Sequence, residues 1–216
     1  MFSPTVNQRP ATIDQLPVRC LIRKALARIR PMFIGLISDT HVPEAGRELW
    51  PQVYDAFLGV TPDQPKVDVI LHAGDMHDVR VLDWLEDRVG VPVYGCRGNG
   101  DDGGGGRPMQ PDHPRLKADQ VLDIEGFRIG LTHDFALPEW PPYRTIDKMM
   151  DRYFGGPVDI VVHGHTHVAD IRVHKGVLCV NSGSPVYPRN LERRLGTLAF
   201  MEIEDGIVHP WIYQLV

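Results

Sequence analysis

What this 216-residue sequence lacks narrows its function before any motif is considered. No apolar run approaches the roughly 20 residues that a helix needs to cross a bilayer, so no membrane span is expected. Cysteine is scarce. Cys20, Cys96 and Cys179 are odd in number and far apart, which argues against a disulfide framework and for a reducing, cytoplasmic location. Basic charge is missing from most of the chain. Residues 1–31 hold six Arg and Lys against the single acid Asp14, a net +5, and since the whole chain sums to −5 the remainder carries −10. An acidic body does not offer the Lys and Arg face that extensive nucleic-acid binding requires. The four-glycine run Gly103–Gly106 has neither the lysine nor the strand–helix setting of a phosphate loop; with Pro108, Pro111 and Pro114 after it, it reads as a surface loop. There is no internal repeat.

What is present divides into two parts. Residues 1–31 form a basic N-terminal extension, with an amphipathic, Arg-rich pattern over Ile13–Ile29. It could be a short helix serving as a transit peptide, membrane-surface helix or partner-binding arm, or a disordered leader if translation starts at Met32. Residues 32–216 read as one domain, long enough to bury a sizeable core. The continuous apolar run Phe33–Ile37 and the largely apolar stretches Val67–Leu71, Val91–Tyr94 and Val158–Val162 are expected as buried strands. Helical spacing is expected over Glu44–Leu58, Val79–Val89 and Tyr143–Phe154. The second half has hairpin signals: Gln120–Ile124 with Phe127–Leu131, Ile171–Val173 with Val177–Val180, and Gly196–Ile203 with Ile207–Tyr213. An α/β fold with two packed sheets and helices outside accommodates that order.

The ionisable residues follow the strands. Asp39 and His41 follow the first, Asp75 the second, Asn99 and Asp101 the third, His133 the Phe127–Leu131 strand, and His165 and His167 the Val158–Val162 strand. Ligands of open α/β sheets bind at the carboxyl ends of strands, so these residues are expected to converge. Residues two apart in extended chain face one side, which lets Asp39 and His41, or His165 and His167, reach one ion. Glycines at 74, 98 and 164 permit close turns. Imidazole, carboxylate and amide donors suit Mn, Fe, Zn or Ni more than Ca.

Asp39-x-His41, Gly74-Asp75, Gly98-Asn99, His133 and Gly164-His165-x-His167 stand in the order found in calcineurin-like metallophosphoesterases. Ile34–His41 and Asn181–Pro185 look most like the small bacterial and archaeal phosphodiesterase branch, and the resemblance covers about residues 32–216. It implies a four-layer α/β/β/α sandwich of two mixed sheets flanked by helices. It also implies two divalent ions, Mn first, with Fe, Zn or Ni as alternatives. One would be held by Asp39, His41, Asp75 and His167, the other by Asp75, Asn99, His133 and His165, with Asp75 bridging. Asp75, Asn99 and His133 are the expected catalytic set. The implied mechanism is in-line attack by a hydroxide bridging ions roughly 3.5–4 Å apart, so Cys96 and Ser184 are not expected as nucleophiles.

Two departures stand out. Many family members carry a histidine after the motif asparagine, where this chain has Gly100, and Asp134 stands where a glycine is usual after the motif histidine. With no acid at position 100, either good leaving groups are favoured or another group supplies the proton; His77, Asp101, His113 and Asp134 are candidates. His72 and His163 are expected to be supporting residues, and His113, His174 and His209 surface ones. Arg97 and Arg107 could meet a substrate phosphate or sit in salt bridges. The leading reading is a metal-dependent phosphodiesterase acting on a small or nucleotide-like phosphoester, with a homo-oligomer left open. The alternatives are a phosphomonoesterase and a non-catalytic scaffold of the kind exemplified by the retromer subunit of this branch.

Overall fold

Most of the short apolar runs become strands, and their order in the chain sets up two sheets. A computed structural model describes residues 30–60, 64–135 and 137–216; the pattern over Ile13–Ile29 lies outside the described residues. The first half runs β1 (Met32–Ile37), α1 (Pro51–Leu58), β2 (Val69–His72), α2 (Arg80–Val89), β3 (Val93–Cys96) and β4 (Leu116–Lys117). The second runs β5 (Gln120–Ile124), β6 (Phe127–Leu131), α3 (Ile146–Phe154), β7 (Ile160–His163), β8 (Asp170–His174), β9 (Val177–Asn181), β10 (Thr197–Glu204) and β11 (Ile207–Gln214). One sheet has the order β11-β10-β1-β2-β3-β4 and the other β5-β6-β7-β9-β8. Each has a parallel run, β1-β2-β3-β4 and β6-β7-β9; antiparallel strands flank the first on the β10-β11 side and the second on both sides.

The side-chain alternation of the strands sorts the core into layers. Ile34 and Leu36 of β1, Val69 and Leu71 of β2, Ile129 and Leu131 of β6, and Val162 of β7 pack between the sheets. Ile37, Ile70 and Val93 face the other way, against Phe57 of α1 and Leu82 and Leu85 of α2. On the opposite side Val161 and Cys179 meet Met149, Met150 and Phe154 of α3. The result is the expected α/β/β/α sandwich. Gly35 is required on the outer face of β1: a Cβ there would lie 2.6 Å from the Phe57 ring.

Three hairpin turns, at Glu125-Gly126, Lys175-Gly176 and Asp205-Gly206, have positive φ at both residues, the turn geometry that matches strand twist. The helix starts differ from expectation. α1 begins at Pro51, not Glu44, with Trp50 as its N-cap. Ala45 and Leu49 are buried from a looping segment, so their spacing imitates a helix, while Pro51 suits a first helical position because it has no N–H to leave unbonded. α3 begins at Ile146 rather than Tyr143, after Thr145, whose hydroxyl caps the Lys148 N–H. β2, β3 and β7 each lie one or two residues further along than expected. Among the described residues no helix is long and apolar enough to cross a membrane.

Candidate metal centre

The carboxyl ends of β1, β2 and β3 in one sheet meet those of β6, β7 and β9 in the other, and the loops that leave them are stitched together. The Asp39 and His41 N–H groups donate to the carbonyls of Gly74 (2.9 Å) and Asp75 (3.1 Å), and the Gly164 N–H donates to the His133 carbonyl (3.0 Å). Ser38, after β1, donates to the Gly183 carbonyl at 2.8 Å and lies 3.0 Å from the Ser182 hydroxyl, tying the two sheets below the site. Ser184 donates to the Asp39 carbonyl at 2.7 Å, and Asn181 to the Gly164 carbonyl at 2.8 Å. The Asn181–Pro185 segment therefore holds the loops that carry Asp39 and His165. Asp39, His41, Asp75, His77, His165 and His167 all have positive φ. Such a backbone costs non-glycine residues about 1–3 kcal/mol each and tends to gather at functional sites.

All seven sequence-predicted residues lie at this junction. Asp39, Asp75, His133 and His167 are buried, His41 is half-buried, and Asn99 and His165 are exposed at the mouth. Asp39 Oδ1 lies 3.4 Å from His167 Nε2 and 4.0 Å from His133 Nε2. Asp75 Oδ2 lies 3.4 Å from His133 Nε2 and 3.8 Å from His41 Nε2, while its Oδ1 accepts from the Gly100 N–H at 2.7 Å. At the mouth, His165 Nδ1 is 3.1 Å from Asn99 Oδ1 and 3.3 Å from His133 Nε2. Donor atoms of Asp39, His41 and His167, and likewise of Asp39, Asp75 and His133, lie within 4.8 Å of one another.

These residues suit a cation chemically. Asp39 Oδ1 and His41 Nε2 are sealed from water with no hydrogen-bond partner among the described residues, a state that is expensive unless an ion supplies the missing contact. His133 and His167 each direct Nδ1 at a carbonyl, of Ala73 (2.7 Å) and Tyr187 (2.8 Å). With Nδ1 donating, each ring turns Nε2 toward the carboxylates, the orientation of histidine metal ligands. The titration shifts point the same way. Burial opposes charge on His133, but Asp75 and Asp39 pull its pKa up to about 9, so the pocket draws positive charge to that nitrogen. Burial, with His77 and His167 alongside, lowers His41 to about 3, leaving it neutral. Burial also pushes the Asp75 carboxyl up, yet the His133 and His77 imidazoles and the Gly100 N–H hold it below the ordinary range.

The remaining candidates sort themselves by contact. Asp101 is fully buried and accepts from the N–H groups of Gly98 (2.8 Å) and His77 (2.7 Å), clamping the loop after β3 to the loop after β2. His113 sits 3.3 Å from Asp83 of α2, and the charge of Asp134 acts on Tyr153 of α3. His72 contacts Thr40 (3.1 Å) and His163 approaches Asn181 (3.4 Å), both buried supports. Arg97 binds the Gln110 and Pro111 carbonyls, and Arg107 pairs with Glu44 at 2.8 Å. Cys96 is fully buried and its thiol is pushed up by that burial, unsuited to a nucleophile. Glu44 was not singled out by the sequence; its position three residues after His41 was the only available signal.

The pattern of the Calcineurin-like phosphoesterase superfamily domain matches residues 32–206. A probable metallophosphoesterase of Methanothermobacter thermautotrophicus is 36% identical over 160 residues, covering 73% of this chain and 80% of that protein. The crystal structure of wild-type Vps29 complexed with zinc, from Entamoeba histolytica, aligns with TM-score 0.57 at 21% identity, over 86% of this chain and all of that one. A novel archaeal phosphodiesterase aligns with TM-score 0.56 at 18% identity, over 84% of this chain and all of that one. At these identities the two structures speak for the fold.

Proposed function

The chain belongs to the calcineurin-like phosphoesterase superfamily and is a metal-dependent phosphoesterase, and from that premise we propose that it hydrolyses small or nucleotide-like phosphodiesters at a dinuclear centre. One divalent ion, Mn first among Mn, Fe, Zn and Ni, would be held by Asp39, His41, Asp75 and His167. A second would be held by Asp75, Asn99, His133 and His165. The observation that carries this reading is the sealed cluster of donors, in which Asp39 Oδ1 and His41 Nε2 have no hydrogen-bond partner among the described residues. When bound, such ions supply a nucleophile at neutral pH and positive charge for the phosphoryl oxygens.

The chain's own residues do the positioning. Asp75 lies between the two donor groups, fixed by the Gly100 N–H on Oδ1. His133 and His167 keep Nε2 forward through their Nδ1 bonds to carbonyls. Asn99 and His165, exposed at the mouth, are placed to meet the incoming phosphoryl group. Gly100 contributes no proton donor, which favours esters whose leaving group departs as a stable anion and tilts the reading from monoesters toward diesters. The filled donor set favours catalysis over a scaffold role.

Hydrolysis of bis-p-nitrophenyl phosphate and p-nitrophenyl phosphate, side by side with Mn, Ni, Zn or no metal, tests the proposal, with Asp75→Ala as the control. Metal-dependent turnover of the diester in excess of the monoester, abolished in the variant, is expected. Metal-independent turnover, or faster turnover of the monoester, would sink the phosphodiesterase reading.

A further inference from the structure

Position 100 has no side chain, and the space beside it is filled from elsewhere. A Cβ on Gly100 would lie 2.1 Å from Nε2 of His77. That histidine is 6% exposed, and its ring lies 4.2 Å from the ring of His41. Its backbone is fixed on both sides: the N–H donates to Asp101 at 2.7 Å and the carbonyl accepts from Gln110 at 2.7 Å. Its Nδ1 lies 2.9 Å from Glu44 Oε2, and Glu44 is itself held by Arg107 at 2.8 Å.

This leaves His77 Nε2 in the condition of the metal-facing atoms. In the neutral imidazole with Nδ1 donating to the Glu44 carboxylate, Nε2 carries the lone pair. It is sealed from water with no hydrogen-bond partner among the described residues, the same state as Asp39 Oδ1 and His41 Nε2. It lies 3.9 Å from Asp75 Oδ2, too far for a hydrogen bond. Donor atoms of His41, Asp75 and His77 fall within 4.8 Å of one another. The Glu44–His77 contact repeats the anchoring through Nδ1 seen for His133 on Ala73 and His167 on Tyr187.

We infer that His77 is an additional metal ligand, acting through Nε2 on the ion that Asp39, His41, Asp75 and His167 would hold, with Glu44 as its positioning residue. The inference rests on the dinuclear reading above. It also gives Gly100 a reason: any side chain there would displace the His77 nitrogen. A third imidazole beside His41 and His167 shifts this position toward Fe, Ni or Zn and away from Mg, since imidazole suits the later transition metals.

The test is titration of the metal-free full chain with Co(II), followed by calorimetry and by visible absorption, which reports ligand number and type without turnover. Wild-type protein is expected to take up two ions. His77→Ala should weaken one of them by about 100-fold or more, change its absorption spectrum, and leave the other unchanged. Glu44→Gln keeps the ligand but loosens its orientation, and should weaken the same ion by about 10–100-fold, the range for supporting partners of metal ligands. Because Glu44 is exposed, that variant keeps the test open if His77→Ala does not fold. Wild-type affinities and spectra in His77→Ala, or in Glu44→Gln where His77→Ala does not fold, would overturn the inference while leaving the dinuclear centre standing. A wild-type chain that binds no Co(II) would overturn the dinuclear reading and this inference with it.

Discussion

Gly98→Ala isolates the closeness of the loops that carry the site. Gly98 does not have a positive φ, so alanine meets no backbone penalty and the perturbation is a single methyl group. That methyl would lie 2.1 Å from Asp75 Oδ1 and 2.4 Å from the Asp75 backbone nitrogen, where ordinary contact begins at 3.4 Å. Side-chain rotation cannot relieve the backbone contact, so one loop must retreat by 3.4 − 2.4, or 1.0 Å. The Asp75 loop is pinned by the His41 N–H on the Asp75 carbonyl. The retreat therefore falls on residues 97–101 and stretches the His77–Asp101 and Gly100–Asp75 hydrogen bonds. Overpacking of about 1–3 kcal/mol, with part of two charge-assisted hydrogen bonds, gives about 2–4 kcal/mol. For a domain of this size that is a fall in Tm of about 5–15 °C. A shift of about 1 Å in the loop that carries Asn99, and with it the Gly100 N–H that fixes Asp75, should also lower kcat/KM on the diester by about 100-fold. Thermal unfolding followed by circular dichroism in EDTA separates the structural effect from metal binding, and diester kinetics report the rest. A Tm within about 1 °C of wild type, with kcat/KM within about threefold, would refute the reasoning.

Metal uptake should release protons. The His133 imidazole of the metal-free site, raised to about 9 by its carboxylate neighbours, must lose its proton before Nε2 can bind an ion, whereas His41, lowered to about 3, is already neutral. Apparent affinity should therefore rise by about tenfold per pH unit from roughly pH 7 to 9 and then level off, with about one proton released through this group. Calorimetry in buffers of differing ionisation heat measures it, and an affinity flat across that window would contradict the assignment. Away from the site, Phe57→Ala removes a fully buried ring lying on Gly35 and 5.7 Å from the Phe200 ring. It should cost about 3–5 kcal/mol in urea denaturation, and a loss under about 1 kcal/mol would deny that contact a central place in the core.

The parts of the fold that could be read from sequence were those whose physical cause is local. Ile34 to Ile37 and Ile160 to Val162 are contiguous apolar residues, and covered parallel strands leave that mark. The hairpins at residues 125–126, 175–176 and 205–206 announce themselves by a residue–glycine pair. β4, two residues paired with β3, has no period to detect, and Ala45 and Leu49 imitate a helix because the core covers them from a loop. The same division holds at the site. Asp39, Asp75 and His133 were visible because each follows an apolar strand. Glu44, and the occupation of the space beside Gly100 by His77, were not, because those relations exist only once the loops after β1, β2 and β3 pack together.

The central claim is that seven residues at the ends of five strands hold two ions with Asp75 between them. Anomalous diffraction from Mn-loaded crystals tests it most directly. The account predicts two peaks roughly 3.5–4 Å apart, both ligated by Asp75, one also by Asp39, His41 and His167 and the other by Asn99, His133 and His165. A single peak, or ions bound elsewhere while these seven side chains remain without metal, would contradict it.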